Sequence, residues 1–150
     1  MVYWHRTHIW IRLLIVTLIA ISVDSWTDET VFRPTGLLAG DEFGKYVSLS
    51  GDKMVTAARN DDTGGNNQGL VYTYEWDGIG WSSEQSFTSV IIGNGDRFGS
   101  AISLDGDYLV VSALNDDDGG NNAGAVYTYV WSGTAWINEQ KLVPTGIGAG

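Results

Sequence analysis

The chain is written twice. The stretch Gly40 to Gln85 recurs 55 residues later as Gly95 to Gln140, and the two copies agree at 27 of 46 positions without a gap. Asp41, Phe43 and Gly44 return as Asp96, Phe98 and Gly99, and Val71-Tyr72-Thr73-Tyr74 returns as Val126-Tyr127-Thr128-Tyr129. A period of this size demands a repeat architecture, in which each unit buries its apolar face against its neighbour. The periodicity reaches further. Trp26-Thr27-Asp28-Glu29 precedes Trp81-Ser82-Ser83-Glu84 by one period, and Phe32-Arg33-Pro34-Thr35-Gly36 reappears as Leu142-Val143-Pro144-Thr145-Gly146. The chain therefore reads as the tail of one unit (26–39), two full units (40–94 and 95–149), and position 150 opening a further one.

Each unit reads as four short strands. Tyr46 to Leu49 alternates apolar with small polar residues, the period of a half-buried strand. Ser50-Gly51-Asp52 and Leu104-Asp105-Gly106-Asp107 are hairpin turns. Met54 to Ala58 and Leu109 to Ala113 follow as second strands, the latter almost continuously apolar and so expected to be buried on both faces. The third strands are Leu70 to Trp76 and Ala125 to Trp131. Asp77-Gly78 and Ser132-Gly133 then turn the chain into fourth strands opening at Trp81 and Trp136; Trp26 to Phe32 is their N-terminal equivalent. No window outside the N-terminal segment has a helical period. The expectation is an all-β fold: a β-propeller fragment of two complete four-stranded antiparallel blades plus an N-terminal strand that completes another blade. Known propellers have at least four blades, so the chain is expected to be a fragment, or else to assemble with further copies.

On the third strand Tyr72, Tyr74 and Trp76 share one face, as do Tyr127, Tyr129 and Trp131. These rows are expected to form the core between blades; the alternative is a platform on which a ligand stacks. Phe43 and Phe98 are expected to plug the blade core, with Gly44 and Gly99 allowing close backbone approach. Asp41 and Asp96 are expected to cap turns, and Glu84 and Glu139 to act as edge charges that resist aggregation.

Residues 1–25 lie outside the repeat. His5, Arg6, His8 and Arg12 precede the apolar run Leu13 to Val23, and no acid appears before Asp24. This is the pattern of a secretory signal peptide, with a signal anchor as the alternative. The run is shorter than the roughly 20 residues of a spanning helix. The mature chain is then expected to be secreted or on the extracellular surface, with no stable membrane insertion after cleavage.

A formal charge of −10 excludes nucleic acid as a natural partner, since phosphate binding needs clustered Lys and Arg. The absence of cysteine removes disulfides and thiolate chemistry. Both histidines lie in the segment expected to be removed, so no Ser-His-Asp or His-metal constellation is expected in the mature chain.

The loop Asn60-Asp61-Asp62-Thr63-Gly64-Gly65-Asn66-Asn67 and its copy Asn115-Asp116-Asp117-Asp118-Gly119-Gly120-Asn121-Asn122 are where chemistry could sit. Ca²⁺ takes six to eight oxygens from carboxylates, Asn carbonyls and backbone, and these loops carry all three. Asp61, Asp62, Asn66, Asp116, Asp117, Asp118 and Asn121 are the candidate ligands, with calcium as the candidate cofactor. Neither the EF-hand spacing nor a nonapeptide repeat is present. Asn, Asp and Gly also dominate plain turns for local reasons, and both readings stand at this point.

Phe-Gly, a Gly-Asp turn, an acidic Gly/Asn loop and Gly69-Leu70-Val71-Tyr72, in that order, resemble an FG-GAP repeat, the blade unit of integrin-alpha-type β-propellers. Phe98-Gly99, Leu109 to Ala113 and Gly124-Ala125-Val126-Tyr127 carry the likeness in the second copy. The resemblance implies a seven-bladed ring, an extracellular setting, and ligand binding or cell adhesion rather than catalysis, with a protein or glycan as ligand. The Gly-Ala-Pro element is degenerate here, as Ala57-Ala58-Arg59 and Ser112-Ala113-Leu114. The family's calcium loop lies between the first and second strands. Here that connection is too short to hold it, so that site does not carry over. A non-catalytic propeller part of a secreted hydrolase or lyase, and a structural coat or surface-layer component, are the alternatives.

Overall fold

A computed structural model describes residues 34–145. The expected signal peptide, the strand Trp26 to Phe32 and the boundary at Gly150 lie outside the described residues.

Eight strands follow in chain order: β1 (Val47–Ser50), β2 (Lys53–Ala58), β3 (Leu70–Trp76), β4 (Trp81–Phe87), β5 (Phe98–Asp105), β6 (Tyr108–Ala113), β7 (Ala125–Trp131) and β8 (Trp136–Leu142). They form two four-stranded antiparallel meanders, β1-β2-β3-β4 and β5-β6-β7-β8. The hairpin turns fall where the Gly-Asp and Asp-Gly signals place them. This is the all-β architecture expected of two propeller blades.

The registers show which residues share a face. Val55 lies opposite Thr73 and Ala57 opposite Val71 in the first sheet, while Leu109 lies opposite Tyr129 and Val111 opposite Tyr127 in the second. These two faces meet. Val55, Ala57 and Val71 share one buried cluster with Phe98, Leu104, Leu109, Val111, Tyr127 and Tyr129. Phe98 is fully buried, and the edge of its ring packs on Tyr127 at 5.3 Å and on Tyr129 at 6.3 Å. Phe87, at the end of β4, packs edge-on against Tyr129 at 5.1 Å. Such edge-to-face pairs add to the area term of burial. Phe98 therefore is the plug its position predicted. Gly99 is required for the same contact, since a Cβ there would lie 2.6 Å from the Ala57 Cβ.

Two expectations change. The tryptophans do not join the tyrosines in the core. Trp76 is 43% exposed and pairs across the hairpin with Trp81 at 5.6 Å, as Trp131 does with Trp136 at 5.2 Å. They close the ends of the β3–β4 and β7–β8 hairpins; Tyr127 and Tyr129 face the neighbouring sheet, whereas Tyr72 and Tyr74 lie on the face of the first sheet opposite to Val55 and Val71. Nor is β6 buried on both faces. Val55 to Ala58 in β2 are all buried, but β6 alternates, with Val110 37% exposed between buried Leu109 and Val111. The composition of β6 is that of a doubly covered strand, but only one of its faces is covered in this structure.

Candidate functional site

Each acidic loop leaves the second strand and returns through the third. In the first loop the Asp61 N–H donates to the Ala58 carbonyl at 3.1 Å, and the Gly69 N–H closes back on the Asp61 carbonyl at 3.0 Å. The second loop repeats both bonds, with Asp116 to Ala113 and Gly124 to Asp116. Asp61 Oδ1 accepts the Thr63 N–H at 2.8 Å, and Asp116 Oδ1 accepts the Asp118 N–H at 3.1 Å. Asp62 Oδ1 accepts the Asn67 N–H at 2.7 Å, and Asp117 Oδ1 accepts that of Asn122 at 2.6 Å. These are the side-chain-to-backbone turns that Asp favours.

The first aspartate of each loop points inward. Asp61 is 2% exposed and Asp116 is 0% exposed. Their second oxygens meet the third strand, where the Tyr127 hydroxyl donates to Asp116 Oδ2 at 2.8 Å and that of Tyr72 reaches Asp61 Oδ2 at 3.5 Å. Asp62, Asp117, Asp118, Asn66 and Asn121 are exposed on the loop rims. The seven predicted residues thus divide into an inward pair and an outward set. Among the described residues, no three His, Cys, Asp or Glu side chains gather as a metal-holding group.

The loops differ in charge. The Lys141 ammonium lies 2.6 Å from Asp116 Oδ2 and 2.5 Å from Asp118 Oδ2, and 5.4 Å above the Tyr127 ring. Burial pushes the Asp116 carboxyl up, but the bonds from Lys141 and Tyr127 outweigh it and hold the pKa below the usual value. Burial likewise disfavours the Lys141 charge, and its two carboxylate partners reverse that, raising its pKa. One period earlier, Lys141 is replaced by Ser86 and Asp118 by Thr63. The second loop has an internal cation and its extra acid; the first has neither.

The loop also joins the sheets. The carbonyls of Asn66, Asn67 and Gln68 accept the N–H groups of Gly95 at 2.8 Å, Arg97 at 3.2 Å and Phe98 at 2.9 Å. The Gln68 side chain donates to the Ile92 carbonyl at 2.7 Å. The first loop is thus a backbone clamp on the opening strand of the next sheet, a role the sequence reading missed. Gly69 makes the clamp possible: at φ +88°, its Cβ would lie 2.1 Å from the Phe98 carbonyl oxygen.

The opening turns behave as capping residues. Asp41 Oδ2 accepts the Leu38 N–H at 2.6 Å, and Asp96 Oδ2 accepts the Gly93 N–H at 2.7 Å. Burial raises the Asp96 carboxyl pKa, and nearby Asp116 adds to this. The carbonyls of Asp41 and Asp96 accept from Asn60 and Asn115, which ties each turn to its own acidic loop. Glu139 is not the edge charge its position suggested. It is half-buried at a bulge in β8, where Oε2 accepts from the Tyr129 hydroxyl at 2.9 Å and Oε1 from the Ser89 hydroxyl at 2.7 Å.

The family model described as FG-GAP repeat matches residues 26–74 and 81–129. The chain belongs to the FG-GAP repeat family. The second FG-GAP match opens at β4 and runs through β5, β6 and β7, so the family unit straddles the interface between the sheets. It includes the clamped strand and both tyrosines that pack against the first sheet. No curated protein matches the chain.

Proposed function

We propose that this FG-GAP repeat chain is an extracellular or cell-surface binding module, engaging a protein or glycan through the loop end of its sheets. One observation carries the reading. Two equivalent acidic loops, tied to each other through the clamp and the opening turns, present Asp62 and Asn66 on one and Asp117 and Asn121 on the other, all exposed. Polar rims on rigid neighbouring elements are where propellers place recognition. The signal-like start of the chain supports the extracellular setting, and the FG-GAP family supports a binding module over a hydrolase.

Calcium is the finer part of the proposal, and the first loop supports it better than the second. A cation at Asp116 and Asp118 must displace the Lys141 ammonium, whereas Asp61, Asp62 and Asn66 have no such competitor among their described contacts. The test is a glycan and protein binding screen on the wild type and on Asp62→Asn with Asp117→Asn, substitutions that keep the Oδ1 acceptor and remove the charge. Loss of binding with unchanged Tm supports the reading; turnover of a glycan that depends on either carboxylate overturns it. Calorimetric titration of Ca²⁺ decides the finer part. Heat that Asp62→Asn abolishes supports the first loop, and no heat with no rise in Tm removes calcium from the proposal.

A further inference from the structure

Five cations stand among the described residues: Lys45, Lys53, Arg59, Arg97 and Lys141. Four of them lie in ion pairs, Lys45 and Arg59 with Glu42, Lys53 with Asp52 and Asp107, and Lys141 with Asp116 and Asp118. Arg97 has no ion pair among the described residues, in a chain whose formal charge is −10. The other copy shows what its position does there. Arg97 is equivalent to Glu42, and both hold a left-handed backbone at φ 60°. Glu42 Oε2 accepts from Arg59 at 2.6 Å and from Lys45 at 2.8 Å, and these bonds, that of Arg59 foremost, hold the Glu42 carboxyl down at about 2. In the second copy all three members differ: Glu42 is replaced by Arg97, Arg59 by Leu114 and Lys45 by Ser100. The frame around them is kept. The Asn60 N–H donates to the Asp41 carbonyl at 3.3 Å, and the Asn115 N–H to the Asp96 carbonyl at 3.1 Å, so residues 97 and 114 flank the same backbone bond as residues 42 and 59. Arg97 is half-buried, and Leu114 is 55% exposed. A left-handed backbone is uncommon outside Gly, Asn and Asp. In the first copy an ion network offsets it; in the second the backbone is the same and the guanidinium has no such partner among the described residues. A strained residue kept for its side chain points to a function.

We propose that Arg97 anchors a carboxylate of a protein partner, an Asp or Glu side chain that takes at this guanidinium the place Glu42 takes at Arg59. This deepens the reading of the loop end as a recognition surface, on which it rests, and narrows the partner from a protein or glycan to an acidic protein segment. Arg97 belongs to that end. Its N–H donates to the Asn67 carbonyl of the first acidic loop at 3.2 Å, and the carbonyl of its neighbour Asp96 accepts from Asn115 of the second. Its own carbonyl accepts the Ser100 hydroxyl at 2.7 Å, so the backbone that bears the guanidinium is fixed on both sides. A planar guanidinium takes a carboxylate through two parallel bonds, and Arg is enriched among the residues that dominate binding energy. Exposed Leu114 across the same backbone bond suits an aliphatic side chain and not the hydroxyls of a sugar, which lose their hydrogen bonds against it. The charge of the loops limits the acid. Asp62, Asp117 and Asp118 are exposed and repel further carboxylates. Salt screens that repulsion beyond about 8 Å at physiological strength. The segment that fits therefore carries a single Asp or Glu among aliphatic residues and not an acidic run.

The probe is a phage-displayed library of random peptides panned on the full chain. It is expected to return peptides with one Asp or Glu beside Leu, Ile or Val. A selected peptide, synthesised, is expected to bind the wild type about tenfold or more tighter than it binds Arg97→Gln, and its own acid-to-amide form is expected to lose as much on the wild type. On Arg97→Gln the acid and amide peptides are expected to bind alike, which assigns the loss to this one pair. Leu114→Glu keeps Arg97 and offers it a carboxylate from within the chain, and is expected to weaken the acidic peptide about as much. Glu42 shows that a side chain of the size of Gln is accepted at this backbone position. Should Arg97→Gln lower the Tm, the amide peptide on the wild type decides by itself. Selected peptides that bind Arg97→Gln as tightly as the wild type overturn the proposal and leave the binding reading standing. Basic peptides, or none above background, overturn it as well, and the glycan screen then decides the binding reading alone.

Discussion

The Tyr127 hydroxyl lies 2.8 Å from Asp116 Oδ2, while the equivalent Tyr72 hydroxyl lies 3.5 Å from Asp61 Oδ2. The same two residue types, 11 positions apart, make a strong bond in one sheet and a marginal one in the other, because 3.5 Å is at the outer limit for O–H···O. Tyr127→Phe leaves the Asp116 oxygen short of a buried donor and is expected to cost about 1–3 kcal/mol. Tyr72→Phe is expected to cost less than about 1 kcal/mol. Denaturant midpoints at constant m-value decide between them; equal losses would show that the distance difference carries no energy.

The exchange of Lys141 and Asp118 for Ser86 and Thr63 between the copies marks a coupled pair. Lys141 and Asp116 side chains are 10% and 1% exposed, so the pair does not belong with weak surface bridges. Lys141→Ser strands a buried carboxylate and is expected to cost about 3 kcal/mol. Adding Asp118→Thr rebuilds the first loop's chemistry and is expected to recover part of that loss. A double-mutant cycle measures the Lys141–Asp118 coupling, expected at about 0.5–1 kcal/mol because the Asp118 side chain is 67% exposed; simple additivity would refute it.

Stability is expected to fall at both ends of the pH scale for opposite reasons. Asp116 has a folded pKa below its unfolded value, so its contribution is complete above the normal carboxylate range and is lost as pH falls through the lowered value. Asp96, raised by burial, acts in the opposite sense and softens the acid limb. On the alkaline side, burial and the Asp116 bond push Tyr127 up to about 12 from 10.0. Its contribution is complete below the unfolded value and is lost as pH rises through the folded one. Tyrosinate absorbance is expected to rise together with loss of structure between about pH 10 and about pH 12. Normal titration of all tyrosines with the fold intact would contradict this.

Gly69 and Gly78 separate strain from contact. Both have positive φ, +88° and +96°, but a Cβ at Gly78 meets nothing within 4 Å. Gly78→Ala is expected to cost only the backbone strain, about 1–2 kcal/mol. Gly69→Ala adds collision with the Phe98 backbone, breaks the clamp between the sheets and is expected to cost roughly twice that or more. Thermal melts of the two variants check the order, and a Gly69→Ala variant as stable as Gly78→Ala would sink the clamp.

Strand positions and hairpins were legible in the sequence because each rests on local physics. Alternation has a period of two, Gly-Asp and Asp-Gly set tight turns, and two copies at one spacing must fold alike. The pairing of faces was legible in part. Tyr72 and Tyr127 were assigned to a core between sheets, and they are buried; Trp76 shares their alternation but sits beyond the covered part of the strand.

Alternation says which residues share a face, and only packing says whether anything covers it. That is why Val55 is buried and its equivalent Val110 is open. The acidic loops carried the right residues for a cation site in the sequence. Tertiary structure turned Asp61 and Asp116 inward to tyrosines, gave Asp116 the ammonium of Lys141, 25 residues away in the chain, and set the loop carbonyls on the next sheet. Local spacing determined the strands, turns and repeat of this protein. Long-range contacts decided what the charges and carbonyls do, because a buried carboxylate takes whatever donors the fold brings to it.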